Sequence, residues 1–113
     1  MPKVNKNEIL KEGFLDKQSR YLKSWRKRYV IIIKTHMLTF ADNSGDYSAP
    51  TEIIPINNCC TVKSADDELN MPNSFKVLAS DRVFYFCGSD NGDKEAWIGA
   101  LGKAMIKTSV MID

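Results

Sequence analysis

Seven short runs rich in aromatic and β-branched residues follow one another along this chain before the hydrophobic period changes once, near the end. The runs are Glu12–Lys17, Trp25–Lys34, Met37–Ala41, Glu52–Ile56, Cys60–Ser64, Phe75–Ala79 and Arg82–Cys87. Each has strand length, and the breaks between them carry turn formers, such as Asp42-Asn43-Ser44-Gly45-Asp46. Ser80-Asp81 joins the last two runs as a tight hairpin, and Asp66–Asn73 reads as a loop.

After residue 90 the apolar positions move to Trp97, Leu101, Ala104, Met105 and Thr108, the spacing of one helical face. Asp93 and Glu95 lie near its start and Lys103 and Lys107 near its end, in the sense that suits the helix dipole. Gly99 and Gly102 each cost about 1 kcal/mol relative to alanine, so the helix over roughly 92–108 must be held by packing. The pattern predicts a mostly β fold: a bent antiparallel sandwich or barrel of seven strands over about 9–88, capped by one C-terminal helix. Other small barrels with a terminal helix fit the same pattern.

A length of 113 residues is enough for one core and hence one domain, 1–113. No apolar run approaches the roughly 20 residues that a spanning helix needs. The first residues contain neither an apolar signal core nor a glycine after Met1, so a cytoplasmic location is expected.

Charge is distributed unevenly. Residues 1–36 hold ten Lys or Arg against three acids, a balance of +7, whereas the remainder holds six against eleven, a balance of −5. Such polarity predicts an anionic partner approached from one end.

Catalysis finds no support in the sequence. His36 has no evident nucleophile or ligand partner. Cys59, Cys60 and Cys87 lack zinc-site spacing and are expected to be reduced, buried strand cysteines. Asp66-Asp67-Glu68 lacks the ligand spacing and glycine of a calcium loop and reads as a solvated turn. The expectation is therefore a binding module with no catalytic residue, metal or cofactor.

Lys11-x-Gly13-x-Leu15-x-Lys17, a short loop, then Trp25-x-x-Arg28-x-Val30 preceded by Arg26 and accompanied by Tyr29, strongly resembles the opening of pleckstrin-homology domains. The tryptophan-bearing terminal helix extends the resemblance over nearly the whole chain. Members that bind 3-phosphorylated inositides carry a lysine and a [KR]-x-R pair, matched here by Lys17, Arg26 and Arg28. Residues two apart on a strand leave the same face, so Arg26 and Arg28 can converge with Lys17 on neighbouring phosphates.

A narrower resemblance is to the N-terminal domain of protein kinase B, through Tyr21–Trp25, Pro55–Asn58, Pro72–Phe75 and Asp81–Phe84. It implies two further headgroup ligands, Asn57 and Arg82, and preference for phosphatidylinositol 3,4,5-trisphosphate and 3,4-bisphosphate. Arg20 replaces an acid of that kinase, which favours anionic lipid and loosens discrimination. Phe40 stands where other members place a phosphate-binding tyrosine.

Arg20, Tyr21, Leu22 and Lys23 are expected to be accessory membrane contacts. The resulting expectation is peripheral recruitment to a phosphoinositide-bearing membrane such as the plasma membrane. The competing reading is a protein-interaction or autoregulatory domain, regulating an attached catalytic domain such as a kinase, with weak, nonspecific lipid binding. Nucleic acid is not expected as a partner, because a base-stacking platform is absent.

Overall fold

The computed structural model describes the backbone of residues 3–110 and the side chains of residues 3–106. The side chains of Lys107 and Thr108 in the expected helix pattern, and the first two and last three residues of the expected 1–113 domain, lie outside what is described.

The seven expected strands are present as β1 (Lys11–Gln18), β2 (Trp25–Ile32), β3 (His36–Phe40), β4 (Glu52–Pro55), β5 (Cys59–Ser64), β6 (Ser74–Ala79) and β7 (Val83–Cys87). They form one antiparallel sheet in the order β4-β3-β2-β1-β7-β6-β5. β1 pairs along its whole length with β2, but only Asp16 and Lys17 pair with β7. The short β1–β7 seam lets the sheet fold over on itself around one core.

That core contains Leu15, Val30, Ile32, Met37, Phe75, Val77 and Phe86, with Phe75 and Phe86 stacked at a centroid separation of 5.3 Å. A 20-residue helix follows β7, beyond a short helix α1 (Asp66–Leu69), and is designated α2 (Asn91–Val110). It inserts Trp97, Leu101 and Ala104 of the predicted stripe into the core, with Met105 partly buried against it. Lys11 Nζ lies 4.8 Å from the Trp97 ring centroid on the outer side.

The continuous run Tyr29–Ile33 has a structural reason. Val30 and Ile32 face the main core, while Tyr29, Ile31 and Ile33 join Leu38 and Phe40 in a second apolar cluster on the opposite side of the sheet. Val4, Ile9 and Tyr47 pack against that cluster. Burial on both faces removes the alternation normally expected of a strand.

Several expectations are corrected. Asp66–Asn73 is not wholly loop, because α1 occupies its first residues and ends at Asn70, whose φ of 52° is left-handed. Nor is the acidic triplet merely a solvated turn. Asp66 Oδ1 accepts the Ser74 N–H at 2.9 Å, and Oδ2 lies 3.2 Å from Nζ of Lys94, a buried cation on α2. This contact docks the helix on the β5–β6 connection.

The cysteines carry no disulfide, but Cys60 is exposed at a bulge in β5 and Cys59 and Cys87 are only partly buried. The bulge turns Cys60 out of the regular inward alternation. The β6–β7 connection is Ser80-Asp81-Arg82, one residue longer than expected, and places Arg82 ahead of the strand.

Candidate functional site

The β1–β2 hairpin aligns Lys17 opposite Arg26 and Leu15 opposite Arg28. Arg26 and Arg28 therefore leave the same face of β2, about 7 Å apart along the strand, beside the end of β1. Arg20 enters from the hairpin loop and Arg82 from the β6–β7 connection. These five cations, with Ser19, Thr51 and Glu52, line one cavity of about 320 Å³ at the open mouth of the barrel.

Local bonds shape that mouth. Ser19 N–H donates to the Ser24 carbonyl at 2.7 Å, Ser24 N–H donates to Ser19 Oγ at 3.1 Å, and Lys23 takes a left-handed φ of 58°. The closed loop presents Tyr21 and Leu22 outward, 82% and 76% exposed. Arg20 lies 5.4 Å from the Tyr21 ring centroid. On the opposite wall, Thr51 N–H donates to the Thr39 carbonyl at 2.7 Å, fixing the entry to β4.

Phe84 supports two of the cations from below. The Arg82 guanidinium is 4.2 Å and Lys17 Nζ 5.8 Å from its ring centroid. Glu52 bridges the same pair, with Oε1 2.8 Å from Lys17 Nζ and Oε2 2.6 Å from Arg82 Nη1. Burial pushes the Glu52 carboxyl up, but bonds and charge from Lys17 and Arg82 together outweigh it and hold it below the usual range.

The structure thus gathers Lys17, Arg20, Arg26, Arg28 and Arg82. Asn57 is not among the residues lining this cavity: it is exposed in the 3-10 turn Ile56–Asn58. Tyr21 and Lys23 line a neighbouring cavity of about 420 Å³ that shares Arg20 and Arg82. Sequence reasoning missed Glu52, which is distant in the chain from both its partners; the only local signal was an acid opening an otherwise apolar strand.

A bent seven-stranded sheet, closed by a helix at one end and lined by cations at the other, defines a small binding module built to receive an anionic group. The chain belongs to the PH domain family, whose model matches residues 9–105.

It is 30% identical over 102 residues to pleckstrin homology domain-containing protein 1 of Arabidopsis thaliana, covering 88% of this chain and 70% of that protein. Identity is also 30% over 93 residues to a RAC family serine/threonine-protein kinase homolog of Dictyostelium discoideum, covering 82% of this chain but 20% of the kinase. The C-terminal PH domain of pleckstrin, solved with an inositol pentakisphosphate, superposes with a TM-score of 0.70 at 22% identity, covering 85% of this chain and 97% of that one.

Relatives are otherwise diverse, a diacylglycerol kinase and a dual adapter among them. The narrower kinship with protein kinase B is therefore not supported. No helix among the described residues is long and apolar enough to cross a membrane.

Proposed function

We propose that this domain is a phosphoinositide-binding module that recruits its protein peripherally to the plasma membrane or another phosphoinositide-bearing membrane. The observation that carries the reading is the convergence of Lys17, Arg20, Arg26, Arg28 and Arg82 on one cavity. Arginine offers paired donors to phosphate oxygens and lysine a compact charge, so five such groups suit a ring bearing several phosphates. The inositol pentakisphosphate bound by the pleckstrin domain is a ligand of the same chemistry.

Headgroups phosphorylated at the 3-position are the preferred ligands in this reading, with Asn57 kept as a proposed further headgroup contact on the sequence resemblance alone. Tyr21 and Leu22 enter the interfacial layer, while Arg20 and Lys23 add attraction to the anionic leaflet, about 1 kcal/mol for each cation near the surface.

The test is sedimentation of the wild-type domain and Arg28→Ala with vesicles identical except for the phosphoinositide, at near-physiological salt. Selective binding to 3-phosphorylated lipids, reduced by about tenfold to a hundredfold in the variant, is expected when a set of charge-assisted hydrogen bonds is lost. Equal weak binding by both proteins would leave only charge attraction and favour a protein-interaction role.

A further inference from the structure

Among the residues lining the cation-rich cavity, Glu52 is the sole acid. Its carboxylate accepts one charge-assisted bond from Lys17 and another from Arg82, as a headgroup phosphate placed between them would. The position is built rather than incidental. The side chains of Lys17 and Arg82 are 10% and 14% exposed, and both lie against Phe84. By contrast, the ion pairs among the described residues do not involve Arg20, Arg26 or Arg28. Two of the five cations are ion-paired before a ligand arrives; the other three pair with no carboxylate among the described residues, Arg28 Nη1 donating only to the Lys27 carbonyl at 3.1 Å.

We infer that Glu52 is a specificity-determining residue: it fills the phosphate position between Lys17 and Arg82, so the cavity discriminates headgroups chiefly through Arg20, Arg26 and Arg28. The inference rests on the headgroup reading proposed above. A phosphate directed at Lys17 and Arg82 must displace a carboxylate that already satisfies both. The displaced carboxylate, fixed to the first residue of β4, then remains near the incoming dianion and repels it. That phosphate adds little affinity, whereas a phosphate at Arg26 and Arg28 displaces no such partner. Without the carboxylate, the fourth phosphate of a headgroup would count fully.

The experiment is calorimetric titration of the full chain with soluble inositol tetrakisphosphate and with the trisphosphates obtained by removing each phosphate in turn. For the wild type, one removal is expected to change affinity by less than about threefold, while others cost tenfold or more. In Glu52→Gln, which keeps an acceptor but loses the charge, tetrakisphosphate affinity rises about tenfold and the formerly silent removal becomes costly.

Glu52→Ala is the second variant, with melting curves establishing that both proteins are folded, and the same widening is expected. Unchanged ratios, or weaker binding of every ligand by both folded variants, would show that the carboxylate organises the cations instead of competing for them. Arg28→Ala separates the two levels of argument. If it binds as the wild type does, the headgroup reading fails and the Glu52 inference with it. If it loses binding while the Glu52 variants leave the ratios unchanged, only the inference fails.

Discussion

Lys17 stands directly opposite Arg26 in the β1–β2 ladder, so the hairpin backbone itself holds two like charges side by side. Glu52 relieves Lys17 but makes no ion pair with Arg26. Like charges at opposed positions are destabilising by roughly 0.2–1 kcal/mol. Arg26→Gln should therefore raise the melting temperature by about 1–4 °C while weakening headgroup binding. The stability gain should shrink as salt is added, because Arg26 is exposed and its field is screened over about 10 Å at 0.1 M. Melting curves at low and high ionic strength check this, and a lower melting temperature at low salt would contradict the repulsion argument.

At the other end of the barrel the dominant contact is apolar. Trp97 is 1% exposed, and a Cβ placed on Gly13 would meet its Cζ2 at 3.5 Å. Trp97→Ala should cost about 3–5 kcal/mol by opening a cavity, whereas Gly13→Val should cost about 1–3 kcal/mol by crowding the ring. Because the two positions touch, the double variant should lose less than the added single losses. Urea denaturation of the four proteins measures that coupling, and strict additivity would mean that valine is accommodated without touching the indole.

The sequence revealed what depends on local spacing. The seven runs became strands, the Trp97, Leu101 and Ala104 period became the buried face of α2, and the alternation of Arg26 with Arg28 put both on one face. It concealed what depends on chain-distant partners. Glu52 meets Lys17 and Arg82 only after β4 has crossed to the mouth, and Lys94 looks like one more charge on a helix until Asp66 and Ser64 close around it. The outer cluster was hidden for a different reason: Tyr29–Ile33 is apolar throughout, so periodicity cannot assign its two faces. At four residues, α1 is too short to display a helical period at all.

The hairpin loop offers a way to separate capture of a headgroup from insertion into lipid. Tyr21 and Leu22 are exposed at the loop tip and do not line the cation cavity. A Tyr21→Ser, Leu22→Ser double variant should bind soluble inositol phosphates as the wild type does, yet bind phosphoinositide vesicles about tenfold more weakly. The loss corresponds to partial burial of two apolar side chains and should persist in high salt. Parallel calorimetry and vesicle sedimentation provide the comparison. An equal loss in both assays would place these residues in headgroup recognition, and no loss in either would leave the loop outside the bilayer.

Tyr29 supplies a prediction about alkaline stability. Its side chain packs in the outer cluster, and its hydroxyl donates to Glu12 Oε1 at 2.5 Å. Burial first, then the hydrogen bond and charge of Glu12, push the phenol up from 10.0 to about 12. The neutral phenol is thus favoured in the folded state. A group whose folded value is raised contributes stability that is full below its unfolded value and lost as pH rises through the folded one. The window therefore runs from about pH 10 to 12, and the contribution lost is about 2–3 kcal/mol. Tyr29→Phe should remove this component of the alkaline decline, whatever it does to stability at neutral pH. Glu12→Gln should shift it toward lower pH, because burial remains while the carboxylate's bond and charge are gone. Denaturant titrations at successive pH values, with tyrosinate absorbance followed in parallel, measure both effects; identical alkaline slopes for wild type and Tyr29→Phe would mean that the phenol is not held neutral by the fold.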